Sequence, residues 1–197
     1  VNRANPPFGA SSNSRPLEDR TYAELLQLAA RPQEDWLRRM EGDLRHWSDR
    51  SRGRWGVAVP ITIDGFNLAM QIRGNRTLLD LYDCPGELKA FLQAGVSLNI
   101  EVIGRARAAI DLSYDGGAYD FFNAGWMPGN AIPMSVDCYN LCGADVYAEF
   151  GRPYQQQLID HFGGANFHLH GNARHLLPEL ARLKGRVVTA IWDDGSR

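Results

Sequence analysis

An α/β fold built on a parallel sheet, either open or wrapped into a barrel, is what the order of elements predicts. From residue 132 onward the chain reads strand, helix, strand, helix, strand, the sequence of parallel units joined by helical crossovers. Its strand runs are apolar enough to be buried on both faces, as a parallel sheet requires. The third observation is Ala165-Asn166-Phe167-His168-Leu169-His170-Gly171-Asn172, where two histidines one residue apart leave the same face of a strand. A helical pattern starts within a few residues, which puts both imidazoles at a strand's carboxyl end. In strand-then-helix proteins ligands bind there.

The 197 residues are 44% hydrophobic with a formal charge of -2, which suits one globular domain with a substantial core. No basic excess calls for nucleic acid. The arginines between Arg38 and Arg54 are interleaved with Glu41, Asp43 and Asp49, the pattern of a solvated helical face. Apolar runs are too short to cross a bilayer, so no membrane partner is expected. Three cysteines, Cys84, Cys138 and Cys142, fit packing groups in a reducing compartment, and the expected location is the cytoplasm.

In order, residues 1–20 read as a flexible arm and residues 21–197 as a single α/β domain. Thr21 and Glu24 form a capping box for a helix whose apolar side is Leu25, Leu26 and Leu28. A second amphipathic helix carries Trp36, Leu37, Met40, Leu44 and Trp47, with the tryptophans as core anchors. Residues 55–60 predict a strand, 64–74 one to two helical turns, 77–82 a short helix, and Pro85 the start of a long helix reaching about Ile110. Residues 111–130 are irregular and aromatic, either a site wall or a surface crossover packed by its own rings. A strand at 132–137, a helix at 143–162 kinked at Pro153, the histidine strand, a helix at 173–184 with Pro178, and a strand at 187–193 complete the chain.

Three blocks of these residues resemble the uroporphyrinogen decarboxylase-like superfamily. They are Leu68 through Gly74 with Leu79-Asp80-Leu81-Tyr82-Asp83-Cys84-Pro85; Ser135-Val136-Asp137 through Leu141 with Tyr147-Ala148-Glu149-Phe150-Gly151-Arg152-Pro153-Tyr154; and Phe162-Gly163-Gly164 leading to His168-Leu169-His170-Gly171-Asn172. The resemblance implies a TIM-type barrel, or an incomplete part of one, with its active site at the strand carboxyl ends. A complete barrel takes about 250 residues, so the expectation is the middle of a longer barrel. The superfamily includes cofactor-free decarboxylases and zinc-dependent methyltransferases that move methyl groups between corrinoid proteins and thiols. The chain departs from it in three places. Gly143-Ala144 stands where the family usually has Ser-Pro, the decarboxylases' arginine-rich amino-terminal motif is not found, and His170 stands where the methyltransferases carry their first cysteine without their distal one.

The candidate site follows. His168 and His170 are either two zinc ligands or a pair of which one bonds a carboxylate and the other lines a pocket. Asp137 is a third ligand, a proton carrier, a histidine orienter or a turn cap. Arg73, Tyr114, Trp126, Asn172 and Asp193 complete the set as candidate substrate contacts, Asn172 being better suited to shaping its turn. The expected function is metal-assisted methyl transfer to a thiol, with a corrinoid protein as partner. The alternatives are decarboxylation of a uroporphyrinogen-like tetrapyrrole without cofactor, and a non-catalytic ligand-binding barrel. A homodimer that supplies the absent strands is also open at this stage.

Overall fold

A computed structural model describes residues 17, 19–30, 33–58, 64–110, 117–120, 125–129 and 131–192. Helix α1 (Tyr22–Ala29) starts at the expected capping box, with the Thr21 side chain accepting from the Glu24 N–H and Glu24 reaching back to the Thr21 backbone. It buries Tyr22 and Leu25, whereas Leu28 is exposed. The end of the expected arm is tied down, because the Leu17 N–H donates to the Ile72 carbonyl; residues 1–16 lie outside the described part.

Helix α2 (Glu34–Ser51) corrects one expectation. Trp36 and Trp47 are 66% and 54% exposed rather than core anchors. At about 100° per residue, Leu37 and Leu44 share a face with Glu34 and Glu41 on one flank and the two tryptophans on the other. Arg105 pairs with both glutamates, which rolls that flank inward and the indoles out. The solvated charged face expected there carries the i,i+4 pairs Arg38–Glu34, Arg39–Asp43 and Arg45–Glu41. Of the strand expected at 55–60, the described residues show a single parallel bridge from Ala58 to Tyr119.

Asp64 caps helix α3 (Gly65–Arg73), and helix α4 (Arg76–Asp83) follows. Helix α5 (Pro85–Ala108) opens on Pro85, where a missing N–H needs no partner. It packs against α1, α2, α3 and α4, with Leu88, Phe91, Leu92, Val96 and Ile103 in the core. The crossing with α3 is made by two glycines: a Cβ on Gly95 would stand 3.0 Å from the Gly65 Cα, and one on Gly65 2.9 Å from the Leu92 Cα. Backbone meets backbone there.

Within the stretch expected to be irregular, β1 (Gly117–Asp120) and β2 (Gly125–Pro128) form an antiparallel hairpin. Strand β3 (Ile132–Ser135) then begins a sheet completed by β4 (Ala165–His170) and β5 (Val187–Trp192), in the order β3-β4-β5 and parallel throughout. Between β3 and β4 stand α6 (Ala144–Phe150) and α7 (Arg152–Phe162). They are two helices rather than one kinked helix, because the chain breaks at Gly151 and Pro153 falls in the first turn of α7, where it is tolerated. Between β4 and β5 the expected helix is a 3-10 turn, Gly171–Leu176, followed by the single-turn helix α8 (Leu177–Leu180) with Pro178 at its start. A complete barrel is not formed by the described residues, which make a helix-rich α/β unit around three parallel strands. No helix among them is long and apolar enough to cross a membrane.

A buried ion network ties α1 to α3 and α4. Asp80, 1% exposed, accepts from Tyr22 Oη at 2.8 Å and Arg73 Nε at 2.7 Å, and Arg73 also donates to the Arg20 carbonyl. Burial pushes the Asp80 carboxyl upward, but the hydrogen bonds from Arg73 and Tyr22 outweigh it and hold the pKa below the ordinary value.

Two outcomes follow for urea-unfolding free energies. Asp80→Asn should cost about 3–5 kcal/mol near neutrality, because it leaves the buried Arg73 without its counter-charge. A depressed carboxylate contributes stability above its unfolded pKa of about 3.9 that disappears as pH falls through the lower folded value, so the gap between wild type and variant should narrow below about pH 4. Gly95→Ala should cost about 1–3 kcal/mol by overpacking; an unchanged midpoint would contradict the backbone contact with Gly65.

Candidate metal centre

Two strand ends and two tight turns build the site. Strand β3 stops at Ser135, and the 3-10 turn Asp137–Leu141 begins immediately beyond it, with the Asp137 N–H donating to Ser135 Oγ at 3.1 Å. Strand β4 ends at His170, and its following turn packs against the first. The parallel register sets Ser135 beside His168. Asp137 and His170, each two residues further on, are therefore brought to the same carboxyl-terminal edge.

Side chains converge there. His168 Nε2 and His170 Nε2 are 3.1 Å apart, and Asp137 Oδ2 lies 3.5 Å from the first and 3.9 Å from the second. His168 is 5% exposed, while the His170 and Asp137 side chains are 35% and 32% exposed, so the cluster opens to solvent on the His170 side. The Asp137 Oδ1 atom is buried with no hydrogen-bond partner among the described residues, a costly state for a carboxylate oxygen.

A tetrahedral cation with ligands at about 2.0–2.1 Å puts neighbouring donor atoms roughly 3.3 Å apart. The three ligand atoms, all within 4.8 Å of one another, already stand near that spacing. Two imidazole nitrogens facing each other at 3.1 Å need a proton between them or a cation shared by both. The donor set of two nitrogens and one oxygen fits a divalent transition metal.

The other candidates are placed elsewhere or lie outside the described residues. Arg73 is 7% exposed and bound to Asp80, so its guanidinium serves the core rather than an open mouth. Trp126 is 47% exposed on the hairpin, which leads into the amino end of β3, the opposite end of that strand from Asp137. Asn172 is exposed in the turn directly after His170. Tyr114 and Asp193 fall outside the described residues. Cys138 and Cys142 pack against the core, and burial pushes the Cys138 thiol up to about 12. His161 and His175 are exposed.

Beneath the cluster lies a polar network that the sequence reading missed. Asp64, 2% exposed, takes the Asn67 N–H at 2.9 Å and Asn67 Nδ2 at 2.6 Å on Oδ1. Its Oδ2 takes Gln155 Nε2 at 2.7 Å and Tyr139 Oη at 3.2 Å, and Tyr147 Oη donates to Gln155 Oε1 at 2.6 Å. Burial lifts the Asp64 carboxyl above the ordinary range against the pull of these donors. Gly151 makes room: a Cβ there would stand 2.5 Å from the Tyr147 ring and 2.8 Å from the Tyr139 ring. The signal was Gln155, a polar residue on the helical stripe of Leu158, Ile159 and Phe162 that faces the core.

No protein-family model, curated protein or solved structure matches the chain, and the family resemblance accordingly rests on the three sequence blocks alone.

Proposed function

We propose that Asp137, His168 and His170 hold a divalent metal, zinc in the first instance, and that the site activates a thiol to accept a methyl group from a corrinoid protein. The observation that carries this reading is the convergence of three ligand atoms at tetrahedral spacing on the carboxyl edge of a parallel sheet, where α/β proteins place their chemistry. The three strands belong, on this reading, to a TIM-type barrel.

The chain's own residues do the positioning. His168, buried, fixes one nitrogen donor, and His170, half open, fixes the second while leaving a path for substrate. Asp137 supplies the negative charge and the pull that orients both rings. When bound, the metal supplies positive charge that brings a thiol's pKa down from about 8.5. The thiol would give up its proton to solvent, and its sulfur would take the methyl group as the corrinoid's cobalt–carbon bond breaks, that bond's electron pair staying with the corrinoid. Decarboxylation draws less support, since Arg73 is committed to Asp80 and so is not free to hold a substrate carboxylate.

Metal analysis of the purified protein tests this. One equivalent of zinc is expected, exchangeable for cobalt(II) with the visible absorption of a tetrahedral ion, and a small thiol should add a sulfur-to-cobalt charge-transfer band. His168→Ala with His170→Ala removes two direct ligands and should weaken binding by more than the roughly 10–100-fold that outer partners command. Binding that survives the double change would place the metal elsewhere.

A further inference from the structure

The carboxylate is the least anchored of the three candidate ligands along the chain. His168 and His170 belong to a strand paired on both sides, whereas Asp137 opens a five-residue 3-10 turn. A ligand has to be held within about 0.5 Å of its working position. Something must fix the turn.

Two ties bracket Asp137, and both run to Asp64. Two residues before it, the Ser135 carbonyl accepts from Asn67 Nδ2 at 3.1 Å, and that same amide donates to Asp64 Oδ1 at 2.6 Å. Two residues after it, Tyr139 Oη lies 3.2 Å from Asp64 Oδ2 and 3.2 Å from the Phe150 carbonyl, the two sharing its one proton, with its ring stacked on Phe66 at a 4.6 Å centroid separation. Asp64 belongs to neither strand nor turn. It stands at the start of α3, and through Gln155 it reaches α7 as well.

The division of labour between its two oxygens carries the point. Capping α3 uses Oδ1 alone, which takes the Asn67 N–H, and a serine would do as much. Oδ2 has no part in the cap; its partners are Tyr139 and Gln155. A buried carboxylate is expensive to desolvate, so a helix cap alone does not account for an aspartate at this depth.

We propose that Asp64 is the positioning residue of the metal centre, setting the turn that carries Asp137 through Tyr139 on one side and Asn67 with Ser135 on the other. The inference rests on the reading of Asp137 as a ligand. It assigns to Asp64 no contact with metal or substrate.

Asp64→Ser and Tyr139→Phe test it on the full chain. The first keeps the cap and deletes Oδ2; the second deletes one hydroxyl. Cobalt(II) and zinc titrations should show affinity lowered roughly tenfold to a hundredfold, with a changed cobalt spectrum, in samples whose circular dichroism reports the folded state. Tyr22→Phe is the control: it removes the equivalent hydroxyl from the separate Asp80 network, should lower stability, and should leave affinity and spectrum untouched. Variants that lose stability but bind like wild type would overturn the proposal and leave the metal site standing. A second measurement needs no metal: the imidazole NMR resonances of His168 and His170 at one pH should move in both variants and stay put in Tyr22→Phe. If wild type takes up neither ion while those resonances move, the metal reading falls and the proposal falls with it, leaving Asp64 as a structural tie to the turn; unmoved resonances would overturn the positioning role even where the metal binds.

Discussion

The register between β3 and β4 is the constraint on which the rest depends. Because Ser135 pairs with His168, Asp137 just past β3 meets the last side chains on β4, and two imidazoles and a carboxylate come within reach. Side chains alternate along a strand, so sliding β4 by one residue would turn both histidines to the opposite face. The register is held from both sides: β4 pairs with β5 along its whole length, and Ala165, Phe167 and Leu169 are buried beside it. A core this committed to one alignment leaves the histidines no second position.

Two buried carboxylates show how surroundings decide charge. Asp80 and Asp64 are almost equally hidden, and burial pushes both upward. Asp80 faces the guanidinium of Arg73 and ends below the ordinary range. Asp64 faces only amides, a phenol and a backbone N–H, and ends above it. Neutral donors soften desolvation without cancelling it, whereas an opposite charge within hydrogen-bond distance does cancel it. The consequence is a division of tasks. The Asp80 network locks α1 to α3 and α4 as an ion pair, and Asp64 serves as a hub of directional hydrogen bonds next to the candidate centre.

What could be read from the sequence was local or periodic. The capping box at Thr21, Pro85 opening α5, and the two histidines on one strand face each follow from spacings of two to four residues. The parallel order followed from strands and helices that alternate. What escaped was set by contacts distant in the chain. Arg105 lies 71 residues from Glu34, yet this pair sets the roll of α2 and exposes both tryptophans. Gly151 breaks a helix whose apolar stripe runs on through it, because the Tyr139 and Tyr147 rings fill the space a side chain would need. Asp64 was legible as a cap, but not as a hub, since Gln155 lies 91 residues away and hydropathy does not register a polar group paired with another polar group.

The donor set shapes the chemistry open to the centre. On the proposed reading, two imidazole ligands and one carboxylate would bring a single negative charge to a divalent ion, leaving a net positive charge to act on a thiol. Each thiolate among the protein ligands would cancel another unit of that charge and weaken the pull on the substrate. His170, as an imidazole ligand on the proposed reading, adds none of that cancelling charge. Cys138, next along the turn from Asp137, does not reverse this, because burial holds its thiol protonated up to about 12. On that reading the thiolate would be formed on the substrate rather than on the protein.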